Sequence, residues 1–325
     1  MAIGPESAAE ELPVAAEELP AVGDSPDVKQ RVRQFYDQVG WQMAGEGVYQ
    51  NARYEDLRPV SREYIRRCHL RVKRFLKPSG RYLLDAGSGP VQYAEYLTYS
   101  EGYQYRVCAD ISIVALQEAR RRIGGHGLFV VADVANLPFA PGLFDGLVSL
   151  HTLHHLPLEE QVKAYEAFYR VLKEDSSAVV VNGWTDSPIM RRLGWLVRIM
   201  DRLGQRRQLF RRLGGRAVDE AERKPENGQR GKIAAESTKT EPTSSFAPTG
   251  TFINKMDPAW LKEKIGGRLH YEIYPWRSVN VRFLRAVIHP VTGGKLWLRL
   301  LFWLEERFPR FFGEKGQYPL IVIRK

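Results

Sequence analysis

The sequence predicts an α/β fold: a doubly wound, mostly parallel sheet of seven strands, with a helical segment ahead of it and a helical insertion before its last strands. Three observations carry this. From Gly80 onward, short runs of β-forming residues alternate with helical stretches, the grammar of βαβ units. The runs are continuously apolar instead of alternating, as strands covered by helices on both faces must be. The first run ends in an acid and turns through two glycines towards a helix.

The elements follow in order. Residues 1–27 are rich in Ala, Glu and Pro without periodicity and read as a disordered acidic tail. Residues 28–78 read as an N-terminal helical segment. One helix runs from Val28 through Phe35 and Tyr36 to Gly40, and a second from about Ser61 to Leu76, stopped by Lys77-Pro78-Ser79-Gly80. Residues 79–184 hold five strands, Tyr82–Ala86, Tyr105–Asp110, Leu128–Asp133, Phe144–Leu150 and Ala178–Asn182. Helices Val91–Tyr99, Ile113–Ile123 and Leu158–Leu172 lie between them.

Beyond Trp184 the alternation stops. Residues 185–214 read as a basic amphipathic helical insertion. Ile189, Leu193, Leu196, Met200 and Leu203 form an apolar stripe, with Arg191, Arg198 and Arg202 opposite. Residues 215–250 turn to Gly, Glu, Lys, Ser, Thr and Pro, a disordered loop. Residues 251–325 complete the sheet. Asp257-Pro258 supplies a helix N-cap and a first-position proline, strands follow at His270–Tyr274 and Tyr318–Ile323, and an apolar helical region spans Leu296–Phe312.

Bulk properties narrow the class. The chain has 325 residues, enough for a full core, and 26% charged residues, ordinary for a globular protein. No run of about 18 uncharged apolar residues predicts a membrane span, and the N-terminus lacks a secretory pattern. Two cysteines, Cys68 and Cys108, give neither a disulfide framework nor a metal spacing. A cytoplasmic protein is expected. The net charge is +10, yet residues 1–27 carry seven acids and no Lys or Arg, so the remainder carries +17, the +10 of the whole plus those seven. Such a body suits an acidic partner, whether nucleic acid, an anionic membrane or a phosphorylated substrate, or is merely well solvated.

The chemistry concentrates in Leu83-Leu84-Asp85-Ala86-Gly87-Ser88-Gly89-Pro90. Glycine takes backbone angles barred to other residues and lets a ligand approach the main chain. Open α/β sheets bind ligands in the crevice beyond the carboxyl ends of their strands. Asp110 closes the second run, where a carboxylate can accept both ribose hydroxyls of a nucleoside, and Asp133 closes the third. Any one such acid is more often a helix cap. Three in successive strand ends, each at the ligand-facing edge, are hard to attribute to capping.

The series Leu84 to Gly89, then Ala109-Asp110-Ile111-Ser112, Ala132-Asp133 with Leu137-Pro138-Phe139, Phe144-Asp145 with Leu153-His154-His155-Leu156, and Tyr169 to Lys173 resembles the small-molecule class I S-adenosylmethionine-dependent methyltransferases. The resemblance covers residues 80–184 and implies a Rossmann-like core with S-adenosyl-L-methionine as cofactor. It implies that Asp85 and Gly87 sit beside the methionine part and Gly89 lines the turn, with Ala86 and Ser88 also in the cofactor-binding segment, and that the N-terminal helices of residues 28–78 lid the site. Asp110 would take the ribose, Ile111 would pack on adenine, Asp133 and Val134 would hold the adenine edge, and His151 would lie near the transferable methyl. Where the family has a third motif glycine this chain has Val91, so the next helix is expected to stand farther from the strand.

Three rival readings fare worse. A dinucleotide fingerprint needs Gly or Ala where Gln92 stands. A zinc site on His151, His154 and His155 lacks suitable spacing and partners, so no metal is expected. A nucleic-acid methyltransferase or a non-catalytic binding module would suit the charge, but base-methylase signatures are absent. For a hydroxyl acceptor His151 is the candidate base, with equal weight on a neutral residue that shapes the pocket. The insertion and the apolar region from Lys295 to Phe312 suggest peripheral docking on an anionic membrane and a lipid-like acceptor. Packing of the two over a small-molecule acceptor pocket has slightly more weight.

Overall fold

A computed structural model describes residues 25–41, 43–45, 48–49, 55–203 and 251–325. The expected disordered segments lie almost wholly outside the described residues, as does the insertion beyond residue 203.

Seven strands form one sheet: β1 (Gly80–Ala86), β2 (Tyr103–Asp110), β3 (Gly127–Val131), β4 (Gly146–Leu150), β5 (Ser177–Val181), β6 (Tyr271–Arg277) and β7 (Tyr318–Arg324). Their spatial order is β3-β2-β1-β4-β5-β7-β6. The first five are parallel, and β7 inserts antiparallel between β5 and β6. The predicted mostly parallel, doubly wound sheet is thus present. Alternate residues of each strand enter different layers. Leu84, Ala86, Val107 and Ala109 pack with α5 (Leu158–Val171) and α7 (Pro258–Lys264). Leu83, Cys108, Val148 and Val179 pack on the other face with α4 (Ile113–Ile123) and the turns around Val72 and Tyr99. Both faces are apolar, which is why the strand sequences do not alternate.

Local signals place the ends. The Ser112 hydroxyl accepts the N–H of Ala115 at the start of α4, and Gly124, with φ of 66°, ends it. Asp257 caps α7 through the N–H of Trp260, with Pro258 at the first turn. Arg170 of α5 donates to the carbonyls of Phe139 (2.6 Å) and Leu137 (2.8 Å), holding the loop after Asp133.

Two local expectations are corrected. The helix predicted at Val91–Tyr99 is only α3 (Ala94–Leu97) with a 3₁₀ turn to Ser100. Pro90 and Val91 delay it: Val91 has φ of 53°, a left-handed conformation that β-branched residues rarely take, with its side chain buried under β1. The predicted region Leu296–Phe312 is two helices, α9 (Gly294–Arg307) and α10 (Pro309–Lys315), broken at Phe308-Pro309. Nor is α9 apolar all round. It buries Leu298, Phe302 and Glu305, while Leu296, Trp297, Leu300 and Trp303 face outward beside Lys295, Arg299 and Arg307.

A third apolar cluster joins α2 (Arg62–Leu70), α6 (residues 188–203), α8 (Val281–Val287) and α9. In α6 the predicted stripe turns inward: Leu193 and Leu196 pack with Met190 and Val197 against this cluster. Arg191, Arg198 and Arg202 are exposed as expected, but Trp195 and Ile199 share their face and Leu203 is exposed too. Preceding the sheet, α1 (Ser25–Phe35) continues into a π-helical turn, Tyr36–Gly40.

Candidate functional site: a cavity at the carboxyl edge of the sheet

Strand order reverses at β1, whose neighbours β2 and β4 lead away in opposite directions. Beyond its carboxyl end, such a switch point leaves a crevice between the departing loops. A cavity lies there, walled by the 87–90 turn, by Asp85, Asp110, Ile111, Asp133 and Val134, and by His151 and Thr152 after β4. Nine of the ten residues expected at the cofactor line it. Ala86 does not: it is fully buried and packs with Leu84, Val107 and Ala109 in the core, because it alternates to the helix-covered face of β1.

The turn is specified by sterics. Gly87 and Gly89 have φ of 74° and 52°. A Cβ on Gly87 would lie 2.2 Å from the Thr152 methyl carbon, and one on Gly89 would press on the Trp41 ring at 3.0 Å. The Thr152 hydroxyl donates to the Gly87 carbonyl at 3.2 Å, so the loop after β4 closes on the turn.

Three carboxylates have three different settings. Asp85 is buried and paired with Arg106 of β2, whose Nε lies 3.1 Å from Oδ2 and whose Nη2 binds the same oxygen. Asp133 accepts from the Ala135 N–H (2.9 Å), Asn136 Nδ2 (2.8 Å) and Lys29 Nζ (2.6 Å). These donors, Lys29 foremost, outweigh burial and hold its carboxyl below the usual range. Asp110 accepts one backbone N–H on each oxygen, from Ser112 and Gly89, both at 2.8 Å. Its carboxylate is enclosed by protein and meets open space only across the cavity wall, so burial raises it to about 6. Each oxygen retains a lone pair, which fits a ligand bringing two hydroxyl donors.

This sets a pH dependence. Below about 6 the ligand-free protein holds a proton on Asp110. A diol donor needs the carboxylate form, so affinity for a nucleoside ligand rises with pH, by at most about tenfold per unit, and levels off above about 6. Because the folded state binds this proton more tightly than the unfolded chain, Asp110 also makes ligand-free stability fall between pH 3.8 and about 6. Calorimetric titration from pH 5 to 8 reads the first effect. A flat profile would remove Asp110 from the binding equilibrium.

His151 sits at the far wall with φ of 56°. Its ring meets Trp276 edge-on at 4.8 Å and Tyr318 at 5.8 Å. Burial, then the nearby Arg277 and the other histidines, push it down to about 3. It is neutral at physiological pH and a poor proton acceptor, which favours a pocket-shaping role over a base. His155 is held down to about 4 by burial. Its Nδ1 lies 2.8 Å from the Phe252 carbonyl, which only accepts, so Nδ1 carries the proton and Nε2 accepts from the Tyr36 hydroxyl at 2.7 Å. Among the described residues, no three His, Cys, Asp or Glu side chains converge as a metal site.

The N-terminal segment expected to lid the site supplies Lys29, Val32, Tyr36 and Trp41 to the wall, whereas Gln92, ahead of α3, and Tyr96, within it, had no local signal. Lys29 Nζ joins Asp133 to Glu160 (2.5 Å), Asp37 receives the Ser112 hydroxyl, and Tyr36 stacks on Trp41. The Lys29 and Asp37 contacts join residues more than seventy positions apart, which no periodicity could show.

Residues 84–180 match the family described as "Methyltransferase domain". A curated relative, the malonyl-(acyl-carrier protein) O-methyltransferase of Legionella pneumophila, is 31% identical over 103 residues, 31% of this chain and 36% of that protein. The chain thus spans about a third of that relative's length. Similar solved structures include the cyclase SpnF, at 16% identity and a TM-score of 0.47, covering 91% of this chain and 96% of that one. Another is a Haloferax volcanii putative methyltransferase in complex with its activator, at 15% identity and a TM-score of 0.46, covering 81% and 90%. Over residues 84–180, this chain is thus similar to methyltransferase domains.

Proposed function

We propose that the whole protein transfers the methyl group of S-adenosylmethionine to an oxygen of a small-molecule or lipid-like acceptor. The observation that carries this is Asp110, a buried carboxylate with free lone pairs at the switch-point cavity, beside a turn whose two glycines leave no room for a Cβ. When bound, the cofactor supplies an electrophilic methyl on a sulfonium. The residues bind and orient it: Asp110 accepts the ribose hydroxyls, Ile111 and Val134 flank the base, and Asp133 faces its edge. The Gly87-Ser88-Gly89 turn lies against the methionine part. Alignment and exclusion of water are what such a displacement needs from the protein. The curated relative's name supports oxygen as the methylated atom. Calorimetry with S-adenosylhomocysteine tests the reading, since a chain that does not bind it has no such activity.

Peripheral contact with an anionic membrane belongs to the same proposal. No helix among the described residues is long and apolar enough to cross a bilayer. The outer faces of α6 and α9 instead combine Trp195, Ile199, Trp297, Leu300 and Trp303 with Arg192, Arg198, Arg202, Lys295 and Arg299. Aromatic and basic residues on one face suit the headgroup layer. Each basic residue near an anionic surface contributes about 1 kcal/mol, screened by salt. Sedimentation with phosphatidylserine vesicles is expected at low salt, lost with phosphatidylcholine alone, and weakened by Arg192→Glu with Arg198→Glu. No sedimentation of the wild-type chain with either vesicle would remove the membrane from the proposal.

A further inference from the structure

Four strand ends bring a second group of side chains to the cavity's edge of the sheet. His151 follows β4, Asn182 and Gly183 follow β5, Trp276 and Arg277 close β6, and Tyr318 opens β7. The Arg277 guanidinium lies 4.7 Å over the Tyr318 ring and is paired with Glu55. On the other flank Lys255 comes from a segment bonded to the histidine loop, where the Asn254 N–H donates to the His154 carbonyl at 2.7 Å. Its ammonium nitrogen lies 3.6 Å from where a Cβ on Gly183 would stand, and a Tyr318 ring carbon lies equally near that point.

Donors outnumber acceptors there. Lys255 makes no ion pair with any described acid, although burial costs its ammonium enough to lower its pKa. The indole N–H of Trp276 and Nε of Arg277, both in residues at most 1% exposed, have no partner among the described residues. A buried cation and unpaired N–H groups are retained where something supplies oxygens to them. A sulfonium brought beside His151 would add a further positive charge. An anion between it and Lys255 relieves that repulsion.

We infer that the methyl acceptor is a carboxylate, bound beside the Tyr318 ring with one oxygen on the Lys255 ammonium. This rests on the methyltransferase reading above. A carboxylate oxygen forms the bond to the methyl carbon as the carbon–sulfur bond breaks. Its electron pair stays on sulfur, leaving a methyl ester and the neutral thioether. No proton is transferred, so a neutral His151 is no obstacle and no base is required.

The test uses the full chain with its lysines reductively dimethylated with carbon-13, saturated with S-adenosylhomocysteine. The resonance missing from Lys255→Met identifies Lys255. Titrated benzoate is expected to shift it saturably, while methyl benzoate leaves it unmoved. By calorimetry on unmodified protein, K255M weakens benzoate binding by about tenfold or more, K255R restores part of it, and S-adenosylhomocysteine affinity is unchanged. A Lys255 resonance unmoved by benzoate, or moved equally by the ester, overturns the inference while leaving cofactor binding intact. Absence of S-adenosylhomocysteine binding in the wild-type chain is the separate failure of the underlying reading.

Discussion

Asp110→Ala is expected to weaken S-adenosylmethionine binding more than any other single change in the cavity. One carboxylate accepting two hydroxyls makes charge-assisted bonds, together about 2–4 kcal/mol, or roughly thirty- to a thousandfold in affinity. The same oxygens hold the Gly89 and Ser112 N–H groups, so the substitution also loosens the turn and the cap of α4. Asp110→Asn separates the effects. It keeps the shape and one acceptor oxygen, and it removes the charge together with the pH dependence below about 6. Calorimetry beside a melting curve reads both. An Asp110→Ala chain that stays folded and binds the cofactor as tightly as wild type would end the case for this residue.

The second large effect concerns stability. Asp85 and Arg106 are each at most 3% exposed, and Arg106 also donates to the Tyr96 carbonyl at 2.5 Å. A buried pair contributes little net stability compared with an apolar pair, but removing one partner strands the other's charge. Arg106→Met should therefore destabilise the protein by about 3–5 kcal/mol. Adding Asp85→Asn should recover a large part, because no uncompensated charge then remains. Urea denaturation of the two single variants and the double variant forms the cycle. Additive losses would mean that the two groups do not act on each other.

The same pair shows what was legible in the sequence. Asp85 stood out as the acid before the glycine turn, but its partner 21 residues away on a neighbouring strand did not. The strands, the turn and the carboxylates at the strand ends were readable because each rests on local patterning or on backbone conformations only glycine takes freely. Ala86 was misplaced because the motif was read as one block, when strand alternation sends that residue to the opposite layer. Val91 defied the expected helix start since a left-handed valine is not something propensity foresees. Lys29 and Lys255 carry no local mark at all; only the chain's return to the sheet edge gives them roles. The outward face of α9 was hidden for a related reason, as hydrophobicity alone does not say which of two apolar stripes faces the core.

The twin ion pairs of Lys29 tie α1 to Asp133 at 2.6 Å and to Glu160 at 2.5 Å, on the loop and helix that follow β3 and β4. Part of the cavity wall is therefore fastened by charge and not by apolar packing alone. Any release of a spent ligand that passes under α1 waits for those pairs to part, an event whose barrier drops as ionic strength rises, though less than for exposed pairs because these are partly buried. Cofactor affinity set by Asp110 and the turn would change far less. Salt would act on this molecule as an accelerator of exchange, visible as a faster dissociation rate at nearly constant binding enthalpy. Lys29→Met should abolish that acceleration by removing the two attractive pairs that salt weakens.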